Sequence, residues 1–161
     1  MEPEKSFSHL DAAGNPAMVD VSAKTETKRT ATAQSIVVLG PEIMQHFTHG
    51  DIQTKKGPVF QTAIIAGTMG AKKTSDLIPL CHPLGLESCK FNIQVNDVDE
   101  VVIQCTAGLT GKTGVEMEAL TGATVAALTI YDMCKAFSHD IVIKETRLIR
   151  KTGGKNDFER K

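Results

Sequence analysis

The clearest pattern along the chain is an alternation of apolar and polar residues between 89 and 107. Cys89, Phe91, Ile93 and Val95 are separated by Lys90, Asn92 and Gln94, and Val101, Ile103, Cys105 and Ala107 repeat the pattern beyond a polar Asn96 to Glu100 turn. A period of two puts one set on the buried face of a sheet, so these segments predict two strands joined as a hairpin. Residues 25–39 are rich in β-branched side chains and alternate too, with Ala31, Ala33, Ser35 and Val37 on one side, and Gly40-Pro41 ends that strand. Ile141 to Arg150 predicts a last strand, broken by Thr152, Gly153 and Gly154.

Elsewhere the period is helical. Pro58 opens a helix, because its fixed φ and missing N–H cost nothing in a first turn. Phe60, Ala63, Ile64, Gly67 and Ala71 then recur at helical spacing as far as Ser75. A longer helix is predicted from Gly114 to Phe137, with Thr113 and Glu116 forming a Thr-x-x-Glu capping box at its start. Pro41 to Phe47 predicts a short helix and Gly50 to Gly57 a polar loop. Ile78 to Pro83, bracketed by Pro79 and Pro83, predicts a stiff extended connector. Residues 1–24 read as a flexible, poorly regular arm, 25–158 as a single domain and 159–161 as a tail. Strand, helix, strand, strand, helix, strand, with a short helix before the first long one, is the order of a ferredoxin-like α+β domain, whose helices cover one face of an antiparallel sheet.

Composition narrows the function classes. A chain of 161 residues that is 41% apolar builds one core. Aromatic residues are only 4%, so that core rests on Ile, Val, Leu, Met and many Ala, which implies close packing. The four cysteines form no CxxC and no apolar leader is present, which points to a reducing cytoplasm. No apolar run approaches the roughly 20 residues that cross a bilayer. A formal net charge of -1 argues against a nucleic-acid surface. The charge is uneven: residues 141–161 hold seven basic against three acidic side chains. Such an end suits a small anionic ligand, and a solvated charged terminus is the alternative reading.

Several groups are candidates for chemistry. Gly108 to Gly114 is glycine-rich, but position 106 is Thr where a Walker A motif needs Gly, so a turn is favoured over a phosphate loop. The helix start that follows is still able to hold a carboxylate or phosphate. Cys81 and His82 have no second pair at zinc spacing, and neighbours in an extended segment point to opposite faces, which argues against a metal. The prolines around His82 would hold its ring for binding or proton transfer; simple packing is the competing reading. Asp132 and Lys135 are i, i+3 neighbours among Ala126, Ala127, Leu128, Ile130 and Met133, which reads as an enclosed pair fit for acid–base work, with a surface salt bridge as the alternative. The cap accounts for Glu116; nothing structural accounts for Glu118.

Four blocks in order carry a resemblance: Asp76-Leu-Ile-Pro-Leu-Cys-His-Pro83, Leu109-Thr-Gly-Lys-Thr-Gly-Val-Glu-Met-Glu-Ala-Leu120, Ala126-Ala-Leu-Thr-Ile-Tyr-Asp-Met-Cys-Lys-Ala136 and Lys151-Thr-Gly-Gly-Lys155. Met18 to Lys24 and Lys56 to Phe60 agree with them. Over residues 9–158 the chain resembles the cyclic pyranopterin monophosphate synthase family of molybdenum cofactor biosynthesis. The resemblance implies a lyase that rearranges 3',8-cyclo-7,8-dihydroguanosine 5'-triphosphate into a pyranopterin with a cyclic phosphate and releases pyrophosphate. It matches Leu80, Cys81, His82, Met117 and Glu118 to substrate-binding positions, Asp132 to the catalytic aspartate and Lys135 to its essential neighbour. Lys56, Lys151 and Lys155 are assigned to the triphosphate. It implies no resident cofactor, with Mg²⁺ only as a companion of the triphosphate, and a homohexamer built as a trimer of dimers. No Cys-x3-Cys-x2-Cys is present for the preceding radical step.

A shared site is also expected. Glu118 and Asp132 are 14 residues apart, which returns them to one helix face but separates them by about 21 Å along the axis. If both serve one substrate, a two-fold axis would bring the start of one subunit's helix to the end of another's. Gly122, Ala123, Ala126 and Ala127 would permit such an approach, and packing on the chain's own sheet accounts for them equally well. The competing functions are a non-catalytic carrier of a pterin intermediate and a generic nucleotide phosphohydrolase.

Overall fold

The computed structural model describes residues 7–161. The elements in chain order are β1 (Thr27–Val38), α1 (Pro41–Met44), β2 (Phe47–Thr48), β3 (Asp51–Thr54), β4 (Gly57–Pro58), α2 (Val59–Lys72), α3 (Thr74–Leu77), β5 (Ser88–Val95), β6 (Glu100–Gly111), α4 (Glu116–Cys134), β7 (Val142–Thr152) and β8 (Phe158–Glu159). The main sheet has the order β5-β6-β1-β7-β8 and is antiparallel throughout. Taking β1, β5, β6 and β7 as its four long strands gives the ferredoxin-like order, with the first strand between the third and the fourth.

The alternation read from sequence is the one the sheet uses. Ala31, Ala33, Ser35 and Val37 of β1 are buried together with Val101, Ile103, Cys105 and Ala107 of β6. Burial strips Ser35 of water, and its hydroxyl is paired with Thr146 at 2.7 Å, as a buried polar group requires. α2 and α4 lie on this face. Their approach depends on small residues: a Cβ on Gly67 would lie 2.8 Å from the Gly122 carbonyl, and one on Gly70 would lie 2.7 Å from Val125. Ala123, Ala126 and Ala127 are fully buried. The small-residue cluster of α4 is therefore consumed by packing within its own chain, and no intersubunit role is needed to explain it.

The structure corrects five local expectations. The loop expected at 50–57 contains the β3–β4 hairpin, held because the buried Asp51 carboxylate accepts the N–H groups of Phe60 (2.7 Å) and Gln61 (3.2 Å) and so caps α2 from a distance. The helix expected to reach Ser75 ends at Lys72 and restarts as α3. The connector at Ile78 to Pro83 is turned at its start, not extended: Pro79 stands second in a turn closed by Cys81 N–H donating to the Ile78 carbonyl at 3.1 Å, the position a proline's φ favours. The capping box is absent, because α4 starts at Glu116 after an N-cap at Val115 that makes no side-chain cap. The end of the chain is no tail. β7 continues to Thr152, Gly153 turns at φ 85, and Phe158–Glu159 pair back on Lys151 and Arg150. A side chain at Gly153 would strike the Lys28 carbonyl, so the turn needs glycine.

Candidate active site

The turned connector, the start of α4 and the end of β7 enclose a cavity of about 610 Å³, a size suited to a nucleotide-like ligand. Seven of the predicted site residues line it: Leu80, Cys81, His82, Met117, Glu118, Lys151 and Lys155. The turn at Ile78 to Cys81 removes the strand geometry that would have sent Cys81 and His82 to opposite faces, so both reach the same space. The arm forms another wall. Its residues 9–17 fold into a small turn, with Leu10 bridged to Pro16 and the Asp11 carboxylate accepting the N–H groups of Ala13 and Asn15. The Val19 carbonyl then lies 2.7 Å from His82 Nε2, so that nitrogen carries the proton and donates. Lys112 Nζ donates to the Ser22 carbonyl at 2.9 Å, a second tie of the arm to the domain.

Electrostatics differ sharply within the cavity. Glu118 is 4% exposed, and burial raises its carboxyl pKa, with Glu116 adding to the rise and His82 opposing it. Burial also raises the Cys81 thiol, helped by the charge of Glu118, so Cys81 is a neutral contact rather than a nucleophile. Beside this part lies a basic recess of about 200 Å³ with Lys24, Arg29, Lys112, Lys151 and Lys155 around Glu116, the single acid among the described residues that line it. Glu116 does not cap its helix; it accepts from Lys151 Nζ at 2.9 Å. Arg29 Nε is buried with no protein partner among the described residues. An unpaired buried donor beside lysines is suited to an anion.

Three predicted residues lie in a separate cluster. At the C-terminal end of α4, Asp132 accepts from Lys135 Nζ at 2.7 Å and lies 3.5 Å from Lys56 Nζ. Lys56 is there because the β3–β4 hairpin turns through Lys55-Lys56, where the Thr54 hydroxyl accepts Lys56 N–H at 3.1 Å. The expectation that Asp132 and Lys135 are enclosed is wrong for this chain: their side chains are 57% and 52% exposed. Leu128 is exposed as well, so the apolar sequence around the pair does not form a continuous shell. The pKa values of the pair move apart. The hydrogen bond and charge of Lys135 lower the Asp132 pKa, and Asp132 raises that of Lys135, because an open ion pair favours both charged forms.

Comparison with known proteins identifies the source of this arrangement. The MoaC family model matches residues 18–154. The chain belongs to the MoaC family. It is 56% identical over 155 residues to the molybdenum cofactor biosynthesis bifunctional protein of Synechocystis sp., covering 94% of this chain and 45% of that protein. It is 52% identical to molybdenum cofactor biosynthesis protein 1 of Dictyostelium discoideum, covering 93% of this chain and 26% of that protein. The chain thus spans less than half the length of these two relatives. The cyclic pyranopterin monophosphate synthase of Xanthomonas oryzae pv. oryzae is 50% identical over 160 residues, with 97% of both chains covered.

Within this MoaC domain, sequence reasoning missed Lys24, Arg29 and Lys112 as parts of the recess, together with His9 of the arm at the cavity. Arg29 was recoverable, because it continues the inward register of Ala31, Ala33, Ser35 and Val37 on β1. Glu116 was noticed and given to a cap that the helix does not make. His9 carried no signal, since its place depends on how the arm folds back.

Proposed function

We propose that this chain is a cyclic pyranopterin monophosphate synthase, a lyase of molybdenum cofactor biosynthesis. It converts 3',8-cyclo-7,8-dihydroguanosine 5'-triphosphate to cyclic pyranopterin monophosphate and releases pyrophosphate. The observation that carries the reading is the convergence of seven assigned residues from the connector, α4 and the end of β7 on one cavity with a basic recess beside it. The recess takes the triphosphate, with Lys151, Lys155, Lys24 and Arg29 stabilising the pyrophosphate as it leaves. Mg²⁺ has the place of a companion of the triphosphate rather than of a resident cofactor. The purine part lies toward Leu80, Cys81, His82 and Met117. Glu118, its carboxyl pKa raised by burial, exchanges protons during ring opening and closure, and His82 is held at the cavity by Nε2–H donating to the Val19 carbonyl.

Asp132, Lys135 and Lys56 complete the site from a second subunit. α4 is unbroken from Glu116 to Cys134, and about 21 Å of helix lies between Glu118 and Asp132. A two-fold axis joins the two half-sites without bending the helix, and three such dimers give the hexamer. There the partner's chain would cover the pair that stands open in one protomer. The enzyme works in the cytoplasm; no helix of the described residues is long and apolar enough to cross a membrane.

The test is turnover of the purified protein with the cyclic nucleotide triphosphate, reading pyrophosphate and the pyranopterin together. A carrier binds the compound and releases it unchanged, and a phosphohydrolase consumes GTP; either result overturns the reading.

A further inference from the structure

We propose that Cys89 and Cys105 are a peroxide-reactive thiol pair, in which Cys89 meets the oxidant and Cys105 closes a reversible disulfide. The register pairs Cys89 with Ala107 and Phe91 with Cys105, so the two cysteines are diagonal neighbours on the helix-facing side of β5 and β6. Their sulfurs are 3.9 Å apart, a hydrogen-bond contact and about twice the length of an S–S bond of about 2.05 Å.

The two sulfurs have different surroundings. Cys105 is fully buried beneath Gly122, where a Cβ would come within 2.7 Å of its sulfur. Cys89 is half-buried on the edge strand, within reach of a small oxidant. The two thiols share this hydrogen bond, and Cys89, its more exposed member, has its pKa brought down to about 7 by it, while Cys105 is driven up. The Thr68 hydroxyl lies near Cys89 as well, but it donates to the Ile64 carbonyl at 2.8 Å, so Cys105 is the effective partner. Cys81 and Cys134 are both raised, the latter to about 11, which leaves Cys89 as the most acidic thiol of the four. Neither member of the pair lines the cavity, so the inference does not rest on the proposed reaction.

The chemistry balances with hydrogen peroxide as the oxidant. The Cys89 thiolate attacks one peroxide oxygen, the O–O bond breaks, and with one proton the products are a sulfenic acid and water. The Cys105 sulfur then attacks the sulfenic sulfur, the S–O bond breaks, and hydroxide leaves as water with the Cys105 proton. Two thiols are oxidised by two electrons and peroxide is reduced to two waters. A thiol reductant reverses the bond by exchange.

The assembled, reduced protein is treated with near-stoichiometric hydrogen peroxide at neutral pH and mapped by non-reducing peptide mass spectrometry. The expected product is one intrachain Cys89–Cys105 link, two hydrogens lighter, with two thiols lost to alkylation and recovered with dithiothreitol. Before oxidation, iodoacetamide labels Cys89 about tenfold faster than Cys105. Cys105→Ser gives no link and leaves a Cys89 sulfenic acid that dimedone captures; Cys105→Ala repeats the test if the serine variant fails to fold. Cys89 staying a thiol while Cys81 oxidises, or a link formed only between chains, overturns the proposal.

Discussion

The two ends of α4 carry acidic residues in opposite physical situations. At its start, Glu118 is nearly excluded from water and its carboxyl is raised by burial. At its end, Asp132 stands open between Lys135 and Lys56 and is lowered by them. Burial without a matched cation favours the neutral acid, whereas an exposed ion pair favours the anion. One end of the helix therefore holds its proton more readily than an ordinary carboxylate does. The other holds a fixed charge. The difference teaches that a single protomer presents two unlike acidic groups at the two ends of one helix, one pushed toward its neutral form by burial and one held ionised by its lysines.

The largest effects test whether both halves serve one reaction. Glu118→Gln and Asp132→Asn should each lower kcat by about 10²–10⁴-fold in a steady-state assay of pyranopterin formation. Near-normal turnover by either variant would remove that residue from the chemistry. Next, Glu118→Ala and Asp132→Asn proteins, dissociated and reassembled together, should regain about a quarter of wild-type activity, because random dimers give each hybrid one intact and one doubly altered site. Hybrids confirmed by native mass that remain inactive would place both residues in one chain's site or in separate subsites.

A smaller effect belongs to the recess. Lys151→Ala should raise the substrate Kd by about tenfold at low salt and flatten its dependence on ionic strength, and an unchanged affinity and salt slope would leave Lys151 as the partner of Glu116 alone. The smallest effect is on stability, and it separates the two ends again. The folded pKa of Glu118 lies above its ordinary value of 4.5, so its contribution to stability is fully present below that value and is lost as pH rises through the folded pKa. Glu118→Gln should thus melt above the wild type at pH 7, with the gap narrowing as pH falls toward 4.5. Asp132→Asn should leave the melting temperature of the dissociated protomer at pH 7 unchanged, since its pair is open to solvent there. A lower melting temperature for Glu118→Gln would mean that the carboxylate is satisfied by partners it does not show here.

The hairpin and the central strand were legible because a period of two survives any tertiary detail: residues 89–95, 101–107 and 31–37 alternate as the sheet requires. The family blocks likewise located the residues that meet at the cavity. Misjudged features were those set by competition among neighbours. Thr113 and Glu116 have the spacing of a cap, yet Glu116 is drawn to Lys151, 35 residues away. Ala126 to Met133 is apolar enough to suggest enclosure, yet Asp132 faces outward between two lysines. Local pattern gives no weight to a distant cation.

By itself, then, the sequence determined the order of the long strands and helices and the ferredoxin-like class, because periodicity and residue type are properties of the chain; its resemblance to the family singled out seven residues that line the cavity. Only the tertiary structure decided that the connector turns at Pro79, that the arm supplies Val19 to His82 and His9 to the cavity wall, and that Arg29 enters the basic recess. It also decided which carboxylate is buried and which is open. Those outcomes depend on desolvation and on contacts between residues far apart in the chain, His82 and Val19 being 63 positions apart, and such distances are fixed only when the chain has folded.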